Sequence, residues 1–405
     1  MTETADLVFF NPLEPGYIEN PWPHLADIRS ADPVHHLLTG QWGLFRYDDV
    51  FSLLRNRDLS VDDRNADLTA LQRSEYIEEI TEEERNRSIL NVDPPDHTRL
   101  RSLVSKAFTP RTIEALRPRI QAMVDVMLDT MAADGEADVV DRLAFPLPFD
   151  VISEMLGMPE ADAEQIKHWS AALVKTLDPV ITEDEINEAM AADAQMSDLI
   201  DQVIAWKTAN PADDLLTAMI EAEVDGDRMT SKELRDQVGL LFIAGHETTV
   251  NLIGTGLYEL LRHPDQLALV RDADAFPSTA IDELLRWVSP VQISRRIATV
   301  DLQLRGKVIP AGAFVLTSLA SANRDPHQWG DTAEALDLTR ADAGRHVSFG
   351  SGVHYCLGAS LAKLEAEIAI GSFVKRFGQV DIVDPPVWNG RINLRGLESL
   401  IVDLR

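Results

Sequence analysis

The chain has 405 residues, of which 45% are hydrophobic, so it could form one large domain or two to three ordinary ones. Its formal net charge of −30 argues against a binder of duplex DNA or anionic membranes, because both partners need clustered basic charge. A single cysteine excludes an intramolecular disulfide. No signal peptide and no apolar run of about 18 residues is seen, so we expect a soluble cytoplasmic protein without a membrane anchor.

The first 90 residues predict a small mixed region. Its elements are a helix at 24–30, strands at 34–37 and 42–47 around a Thr-Gly turn, and a helix at 49–56 capped by Asp48. Residues 62–90 are charged and irregular. Their acidic cluster at 78–84 is interpreted as a solvated face.

The next helix is predicted to start at Asp93, a suitable N-cap, with Pro94 in the first helical position. His97 and Arg101 are four residues apart and therefore share one face of this helix. From the residues alone, that face is either an exposed basic surface or a clamp for an anion.

Apolar spacing predicts helices at 112–133, 147–156, 161–177 and 183–208. A longer helix follows at 231–262, with a capping box from Thr230 to Glu233 and Pro264 at its end. Its roughly 48 Å would cross a whole domain. Its middle, 238–244, is apolar, which predicts burial on all sides.

A polar run, Gly245-His246-Glu247-Thr248-Thr249, follows inside this buried stretch. A carboxylate in a core helix is costly unless it has a partner, and threonine hydroxyls compete for backbone carbonyls. The run is therefore either a tolerated polar kink or a place where dioxygen, water and protons are handled.

The last third predicts a helix at 279–288, in which Glu283 and Arg286 can pair across one turn. Strands are predicted at 289–298, 300–304, 307–309, 313–318, 380–383, 392–394 and 400–404. Arg295 and Arg296 must point to opposite faces of their strand, so only one of them can contact a given ligand.

Cys356 lies in the glycine-rich loop 347–359, just before a helix predicted at 359–376. Unpaired N–H groups and the helix dipole at this position favour a thiolate. Three interpretations are open: a small buried hydrophobe, a nucleophile with His354 as its base as in a Cys/His hydrolase, or a metal ligand.

This loop resembles the haem-binding loop of the cytochrome P-450 family in the residues Phe349-Gly350-x-Gly352-x-His354-x-Cys356-x-Gly358-Ala359. In that family the cysteine is the proximal thiolate ligand of the haem iron. Three other stretches resemble family landmarks in the same order, namely Asp93 to His97, Ala244-Gly245-x-Glu247-Thr248 and Glu283-x-x-Arg286. The resemblance spans nearly the whole chain and implies a mainly α fold with a small β region. It also implies one domain over residues 1–405, with haem b between the long helix and the Cys-loop helix.

The resemblance also implies roles for individual residues. Cys356 would be the axial ligand, and Glu247 and Thr248 would deliver protons during dioxygen activation. The implied cofactor-binding residues are His97, Arg101, Ala244, Arg296 (with Arg295 as its rival), Phe349, His354, Cys356 and Gly358. Glu283, Arg286 and Arg340 would form a buried structural group. The expected substrate pocket contains Leu240, Leu241, Ala244, Val291, Ile293, Ile392 and Leu394.

The implied activity is insertion of one oxygen atom from O₂ into a hydrophobic small molecule such as a terpenoid, steroid, fatty acid or polyketide. The chain has no flavin, nicotinamide or iron–sulfur motif, so we expect electrons from a ferredoxin and its reductase. Arg99, Lys106, Arg111, Arg345 and Lys363 form either a basic patch for that acidic partner or scattered solvated charges. The alternatives are an H₂O₂-driven peroxygenase and a non-catalytic haem-thiolate sensor or carrier.

Overall fold

The structure, a computed structural model, describes residues 8–67, 85–159, 163–222, 228–273 and 276–405. Helices predominate in these ranges, as expected. They are α1 Trp22–Ala31, α2 Tyr47–Leu53, α3 Asp96–Val104, α4 Pro110–Glu114, α5 Arg117–Asp134, α6 Pro146–Leu156, α7 Ala163–Lys175, α8 Glu183–Ala209, α9 Leu215–Glu221, α10 Ser231–Arg262, α11 Pro264–Arg271, α12 Ala280–Val288, α13 Leu319–Ala322, α14 Pro326–Trp329 and α15 Ala359–Arg376. None of these helices is both long and apolar enough to cross a membrane.

The strands form four small sheets in the described parts of the chain. They are β1 Val34–His36, β2 Trp42–Leu44, β3 Leu59–Ser60, β4 Glu136–Asp138, β5 Ile293–Ala298, β6 Leu302–Leu304, β7 Lys307–Ile309, β8 Phe314–Ser318, β9 Val380–Ile382, β10 Val387–Trp388, β11 Leu397–Ser399 and β12 Ile401–Leu404. The largest sheet has the order β1-β2-β8-β5-β3, and the next has β4-β12-β9. β6 pairs with β7, and β10 pairs with β11.

The 32-residue helix α10 is the central element of the main core. Its capping box is present: the Thr230 hydroxyl accepts the Glu233 N–H, and the Glu233 carboxylate accepts the Thr230 N–H. α10 packs against α6, α15 and α8. This arrangement places the middle of α10 beside the helix that follows the Cys loop.

Two predicted helix caps are wrong. The N–H of Tyr47 at the start of α2 is bound by the distant Asp325 carboxylate at 2.9 Å, so Asp48 does not cap this helix. α3 begins at Asp96 rather than after Asp93, whose carboxylate instead accepts the N–H of Val61 at 3.0 Å. At α2 a remote carboxylate replaces the local cap, and at α3 a remote N–H group binds the carboxylate that was predicted to be the cap.

Three other predicted boundaries change. The helix predicted at 112–133 is two helices, α4 and α5, because Pro118 occupies the first turn of α5 and cannot lie in a helix interior. The strand predicted from residue 289 begins at Ile293, since Ser289 ends α12 with φ 43°. The strand predicted at 392–394 is absent from the described β10–β11 connection, where Val291 and Leu394 form only a single bridge. The acidic cluster at 78–84 lies outside the described residues.

Candidate active site

The Cys loop is shaped by two glycines with positive φ, Gly350 at 70° and Gly352 at 74°. A Cβ on Gly352 would stand 2.6 Å from the carbonyl oxygen of Leu54, so no side chain fits there. The loop closes where the Cys356 N–H donates to the Phe349 carbonyl at 2.9 Å. α15 then begins at Ala359, so the glycines and the helix start together fix the position of the sulfur.

The environment of the Cys356 thiol differs in part from the prediction. Burial raises its pKa, while the N–H of Gly358 and the charge of Arg101 act in the opposite direction. The helix N-terminus therefore lowers the pKa of the Cys356 thiol as predicted. The increase caused by burial is larger, so the pKa is raised overall. A thiol with a raised pKa is a weak free nucleophile, whereas a bound metal cation would deprotonate it.

His354 is not placed as a base for this thiol. Its ring lies against the ring of His97 with centroids 4.3 Å apart, and it donates a hydrogen bond to the Ile89 carbonyl. Burial and the charge of Arg296 lower the pKa of His354 to about 3, so the imidazole is neutral at physiological pH. The structure gives the hydrolase interpretation no support.

His97 and His354 lie in a cluster with Arg101 and Arg296, and its positive charge comes from the two arginines. We call these four residues the cationic cluster. The guanidinium of Arg101 donates to the Tyr355 carbonyl at 2.7 Å, and Nε2 of the buried His97 has no hydrogen-bond partner in the part of the chain that the structure describes. Arg296 is 8% exposed, and burial lowers its pKa to about 10. In the described ranges, neither arginine has an ion pair with a carboxylate. Such a cluster is suited to an anionic ligand.

Strand alternation selects Arg296 over Arg295 for this cluster. The Arg296 guanidinium turns back to the Ser294 hydroxyl at 2.8 Å and the Arg295 carbonyl at 2.7 Å. The side chain of Arg295 is half-exposed on the opposite face of β5 and pairs with Asp63 at 2.9 Å. Only Arg296 is therefore available to a ligand beside His97 and His354.

The middle of α10 is not buried on all sides, contrary to the prediction. Ala244 is exposed, and Leu240, Ile243 and Thr248 are partly exposed, although the helix crosses the core. Residues 240, 244 and 248 are spaced by four and share one face. We call this the open face of α10. Its small and aliphatic side chains leave room for a flat group against the helix.

The polar run on α10 has partners for most of its groups. The Thr248 hydroxyl donates to the Ala244 carbonyl at 3.1 Å, as a threonine inside a helix often does. The Glu247 carboxylate is 7% exposed and pairs with Arg391 at 2.6 Å, while Nε2 of His246 stands 3.6 Å away. Burial alone would raise the pKa of Glu247, but His246 and Arg391 lower it to about 2.

Arg391 was not identified from the sequence, because it lies 144 residues from Glu247 and in no recognisable motif. His246 itself is fully buried among Phe145, Phe149 and Phe242, whose ring centroids lie 5.4–6.0 Å away. Its Nδ1 bonds to the Phe242 carbonyl at 2.8 Å. Glu247 is thus held as an ionised carboxylate away from bulk water.

The residues predicted for the substrate pocket divide into two groups on α10. Leu240 and Ala244 lie on the open face, whereas Leu241 is buried in the main core. Ile243 was missed by the sequence interpretation although it is partly exposed beside Ala244. Nothing distinguishes Ile243 within the apolar run, so only the fold reveals its position.

Two other predicted pocket residues, Ile293 and Ile392, pack with Tyr17 and Leu37 in a separate apolar cluster. Because β5 alternates, Ile293 points to the face opposite Arg296. Both isoleucines are less than a tenth exposed. The structure therefore directs them into the protein rather than toward the cationic cluster.

Glu283, Arg286 and Arg340 come together as the sequence predicts. The Arg286 guanidinium is fully buried and binds both Glu283 oxygens at 2.7 Å. It also donates to three backbone carbonyls, those of Asn323, Ala333 and Ala335, at 2.8–2.9 Å. Arg340 adds bonds of 3.1 and 3.2 Å to Glu283. This group ties α12 to the segment that leads into the Cys loop.

The residues of the site fit haem b. Cys356 offers a sulfur ligand at the start of α15, and the cationic cluster offers partners for two carboxylates. Among the described residues, Nε2 of His97 has no hydrogen-bond partner and Arg296 has no carboxylate partner, so an anionic group would satisfy both. The open face of α10 presents uncharged side chains, those of Leu240, Ala244 and Thr248, against which a macrocycle could pack.

One protein family and several known proteins are similar to this chain over most of its length. A profile of the Cytochrome P450 family matches residues 63–273 and 277–386. The polyketide biosynthesis cytochrome P450 PksS of Bacillus subtilis is 36% identical over 412 residues, covering 98% of this chain and 99% of PksS. The vitamin D(3) 25-hydroxylase of Pseudonocardia autotrophica is 41% identical over 395 residues, covering 95% of this chain and 94% of that enzyme. The structure of epothilone B-bound cytochrome P450epoK aligns with a TM-score of 0.89 at 34% identity, covering 98% and 99% of the two chains.

Proposed function

The chain belongs to the cytochrome P450 family and is a haem-dependent monooxygenase, and from this premise we propose the roles of its residues, its substrate class and its electron donor. Haem b, when bound, supplies the iron at which dioxygen is activated. We assign Cys356 as the residue that would hold this iron through its sulfur. The Gly358 N–H and the charge of Arg101 stabilise the thiolate and tune its electron donation.

Arg101, Arg296, His97 and His354 are assigned to the two haem propionates. The observation that carries this assignment is Arg296, a buried guanidinium with no carboxylate partner among the described residues. Removing the counter-charge of a buried ion typically costs about 3–5 kcal/mol, so an anionic ligand is expected there. Charge-assisted bonds from this cluster would orient the haem relative to the sulfur.

Thr248 and Glu247 are assigned to proton delivery. The Thr248 hydroxyl lies at the open face and its oxygen can accept one hydrogen bond while its proton is shared with the Ala244 carbonyl. Glu247 is adjacent, but its ion pair with Arg391 keeps it ionised. Glu247 must therefore gain a proton before it can act as an acid. Protonation of Glu247 requires its ion pair with Arg391 to break.

We propose a hydrophobic, polyketide-type molecule as the substrate. The open face of α10 is aliphatic around Leu240, Ile243 and Ala244, and it has no charged side chain among them. PksS is named for polyketide biosynthesis, and the P450epoK structure contains epothilone B. A steroid-like substrate is the second candidate, because the vitamin D(3) 25-hydroxylase is 41% identical.

A substrate-binding screen tests this choice. Displacement of water from haem by a bound substrate changes the Soret absorption, so haem-loaded protein can be titrated with a panel of macrolactones, vitamin D₃ and fatty acids. We expect saturable spectral shifts with macrolactones at lower concentration than with vitamin D₃. Shifts with vitamin D₃ or fatty acids alone would reject the polyketide assignment.

The proposed electron donor is an acidic ferredoxin, but the docking patch is smaller than the sequence predicts. Arg99 pairs with Glu233, and Lys363 pairs with Asp282, so two of the five basic residues are neutralised. Lys106, Arg111 and Arg345 are exposed. We therefore assign these three residues to the ferredoxin contact.

Charge reversal tests this contact. Lys106→Glu with Arg111→Glu should slow ferredoxin-supported turnover strongly at low salt and less at high salt, because ions screen the attraction. Arg142→Glu with Arg405→Glu is the control, since it changes the net charge equally on exposed residues that follow the paired strands β4 and β12. Equal slowing by both pairs, or no salt dependence, would reject the docking assignment.

An H₂O₂-driven peroxygenase is the second candidate function, and the ion pair between Glu247 and Arg391 favours it, because a permanently ionised Glu247 could not supply protons. The two functions differ in what sustains turnover of the compound found in the binding screen. We expect product with O₂, ferredoxin and its reductase. Product with H₂O₂ alone, and none with O₂ and reduced ferredoxin, would establish the peroxygenase instead.

A further inference from the structure

Arg391 is carried by the loop 389–396, which joins β10 to β11 and holds its own shape. The Asn389 N–H donates to the Gly396 carbonyl at 3.1 Å, and the Asn389 side-chain amide donates to the Leu394 carbonyl at 2.9 Å. The Arg391 N–H donates to Oδ1 of Asn389 at 3.1 Å. These bonds fix the shape of the loop, so the position of Arg391 depends on the loop backbone on either side of it.

The loop is also bound by the connection between α7 and α8, residues 176–182. The Asn393 N–H donates to the Asp178 carboxylate at 2.7 Å, and the Asn393 side-chain amide donates to the Leu177 carbonyl at 3.1 Å. Lys175 lies 3.0 Å from Asp178 and donates to the Gly390 carbonyl at 3.4 Å. These bonds hold the loop backbone on both sides of Arg391, at residues 390 and 393.

The buried Asp178 carboxylate is the central group in these contacts. Asp178 is 4% exposed, and its charged neighbour is Lys175, which also stands 3.6 Å from Glu185. A buried carboxylate that loses such partners is strongly destabilised, so it holds the loop firmly while the connection is docked. If the connection lifts, the two bonds from Asn393 to Leu177 and Asp178 are lost together, and Lys175 at the end of α7 loses the carboxylate beside it.

The opposite side of the loop is anchored to the core and would stay in place. Asn393 accepts the Ile293 N–H at 2.9 Å, and the Leu394 carbonyl accepts the Asn251 side-chain amide at 3.2 Å. Neither anchor lies next to Arg391. Lifting the connection would therefore loosen the stretch around Arg391 without unfolding the loop.

We propose that Asp178 and Asn393 are positioning residues for the Glu247 carboxylate, because they determine whether Arg391 stays paired with it. This inference rests on the proposed role of Glu247 in proton delivery. With the connection docked, Arg391 holds Glu247 ionised. With it lifted, Glu247 loses this counter-charge and takes up a proton from the solvent. Glu247 can then donate this proton to the Thr248 oxygen, while the Thr248 hydroxyl leaves the Ala244 carbonyl and donates its own proton toward the open face. The position of one surface connection thereby controls the supply of protons.

The protonation of Glu247 in the haem-loaded protein is the measurement that tests this coupling. The charged or titratable groups that face Glu247 in the described structure are His246 on α10 and Arg391 on the loop. Infrared difference spectra across a pH series report the carboxyl band of Glu247, and Glu247→Gln identifies that band by its loss. Arg391→Gln sets the full shift expected when the counter-charge is removed.

We expect Asp178→Ala to shift the titration of Glu247 to higher pH, in the same direction as Arg391→Gln. Asp178→Asn should restore a titration near that of the wild type, because its amide oxygen still accepts the Asn393 N–H. Asn393→Asp is a second test that keeps the bond to Ile293 but replaces the amide that donates to the Leu177 carbonyl with a carboxylate oxygen that repels it, so it should shift the titration as Asp178→Ala does. Asp214→Asn breaks another buried ion pair, with Lys207, and should leave the titration unchanged.

A wild-type titration in both Asp178→Ala and Asn393→Asp, while Arg391→Gln shifts it, would overturn the coupling. An unshifted Arg391→Gln would overturn it as well, because Arg391 would then not control Glu247. If Asp214→Asn shifted the titration of Glu247 as much as Asp178→Ala does, general destabilisation and not the coupling would explain the shift. Loss of the thiolate-type spectrum would instead reject the proposed function, so the two failures are distinguishable.

Discussion

Glu283→Gln is expected to destabilise the protein severely, because one buried carboxylate serves two buried arginines. Its oxygens accept hydrogen bonds from Arg286 at 2.7 Å, from Arg340 at 3.1 and 3.2 Å, and from the Asp337 N–H at 2.9 Å. A glutamine removes the charge and turns an N–H₂ group toward one of these donors. Removing one partner of a buried ion pair costs about 3–5 kcal/mol, and here two guanidinium groups lose their counter-charge.

Urea unfolding of haem-loaded protein measures this cost, followed by far-UV circular dichroism and by Soret absorption. Glu154→Gln is the matched control, because Glu154 pairs with Arg119 at 2.8 Å and both side chains are about half-exposed. Such a surface pair contributes about 0–1 kcal/mol. We expect Glu283→Gln to lower the unfolding midpoint far more than Glu154→Gln and to release haem earlier. Equal midpoints for the two variants would refute the reasoning.

Three further outcomes are expected. Arg296→Gln should lower haem affinity, measured by transfer of haem to an acceptor such as apomyoglobin. Arg295→Gln, on the exposed face of β5, should leave haem affinity unchanged. Equal loss of haem affinity in the two variants would reject the choice of Arg296 over Arg295. Burial raises the pKa of Glu365 well above 4.5. The free energy of unfolding should therefore fall by up to about 1.4 kcal/mol per pH unit as the pH rises from 4.5 toward the raised pKa. Glu365→Gln should flatten this slope. Parallel pH profiles would show that Glu365 has no such effect. Gly396→Ala should destabilise the fold by about 1–3 kcal/mol in thermal unfolding, because its Cβ would overlap the side chain of Asn251, and an unchanged melting temperature would contradict that contact.

The helices were the most predictable part of the fold. α10 and α15 begin and end where the sequence indicates, because a capping box, a proline or a glycine loop lies next to each boundary. The caps of α2 and α3 could not be predicted, since α2 uses Asp325 from nearly 280 residues away and Asp93 is drawn to Val61 instead. Local sequence cannot report a partner that only the folded chain brings close.

The candidate site likewise contains residues that the sequence could identify and residues that it could not. Cys356, Glu247 and Arg296 lie within recognisable motifs, so their places were predictable. Arg391 and Asp178 act through single long-range contacts, with Glu247 and Asn393, and no motif marks either residue. The pKa of the Cys356 thiol was also beyond the sequence, because it depends on burial as well as on the helix start.

The axial role of Cys356 is the central assignment, and the absorption spectrum of the reduced, carbon-monoxide-bound protein tests it most directly. We expect a Soret band with the red shift characteristic of a thiolate ligand, and we expect Cys356→Ala to abolish that band. A wild-type Soret band without this shift, or an unchanged band in Cys356→Ala, would contradict the assignment.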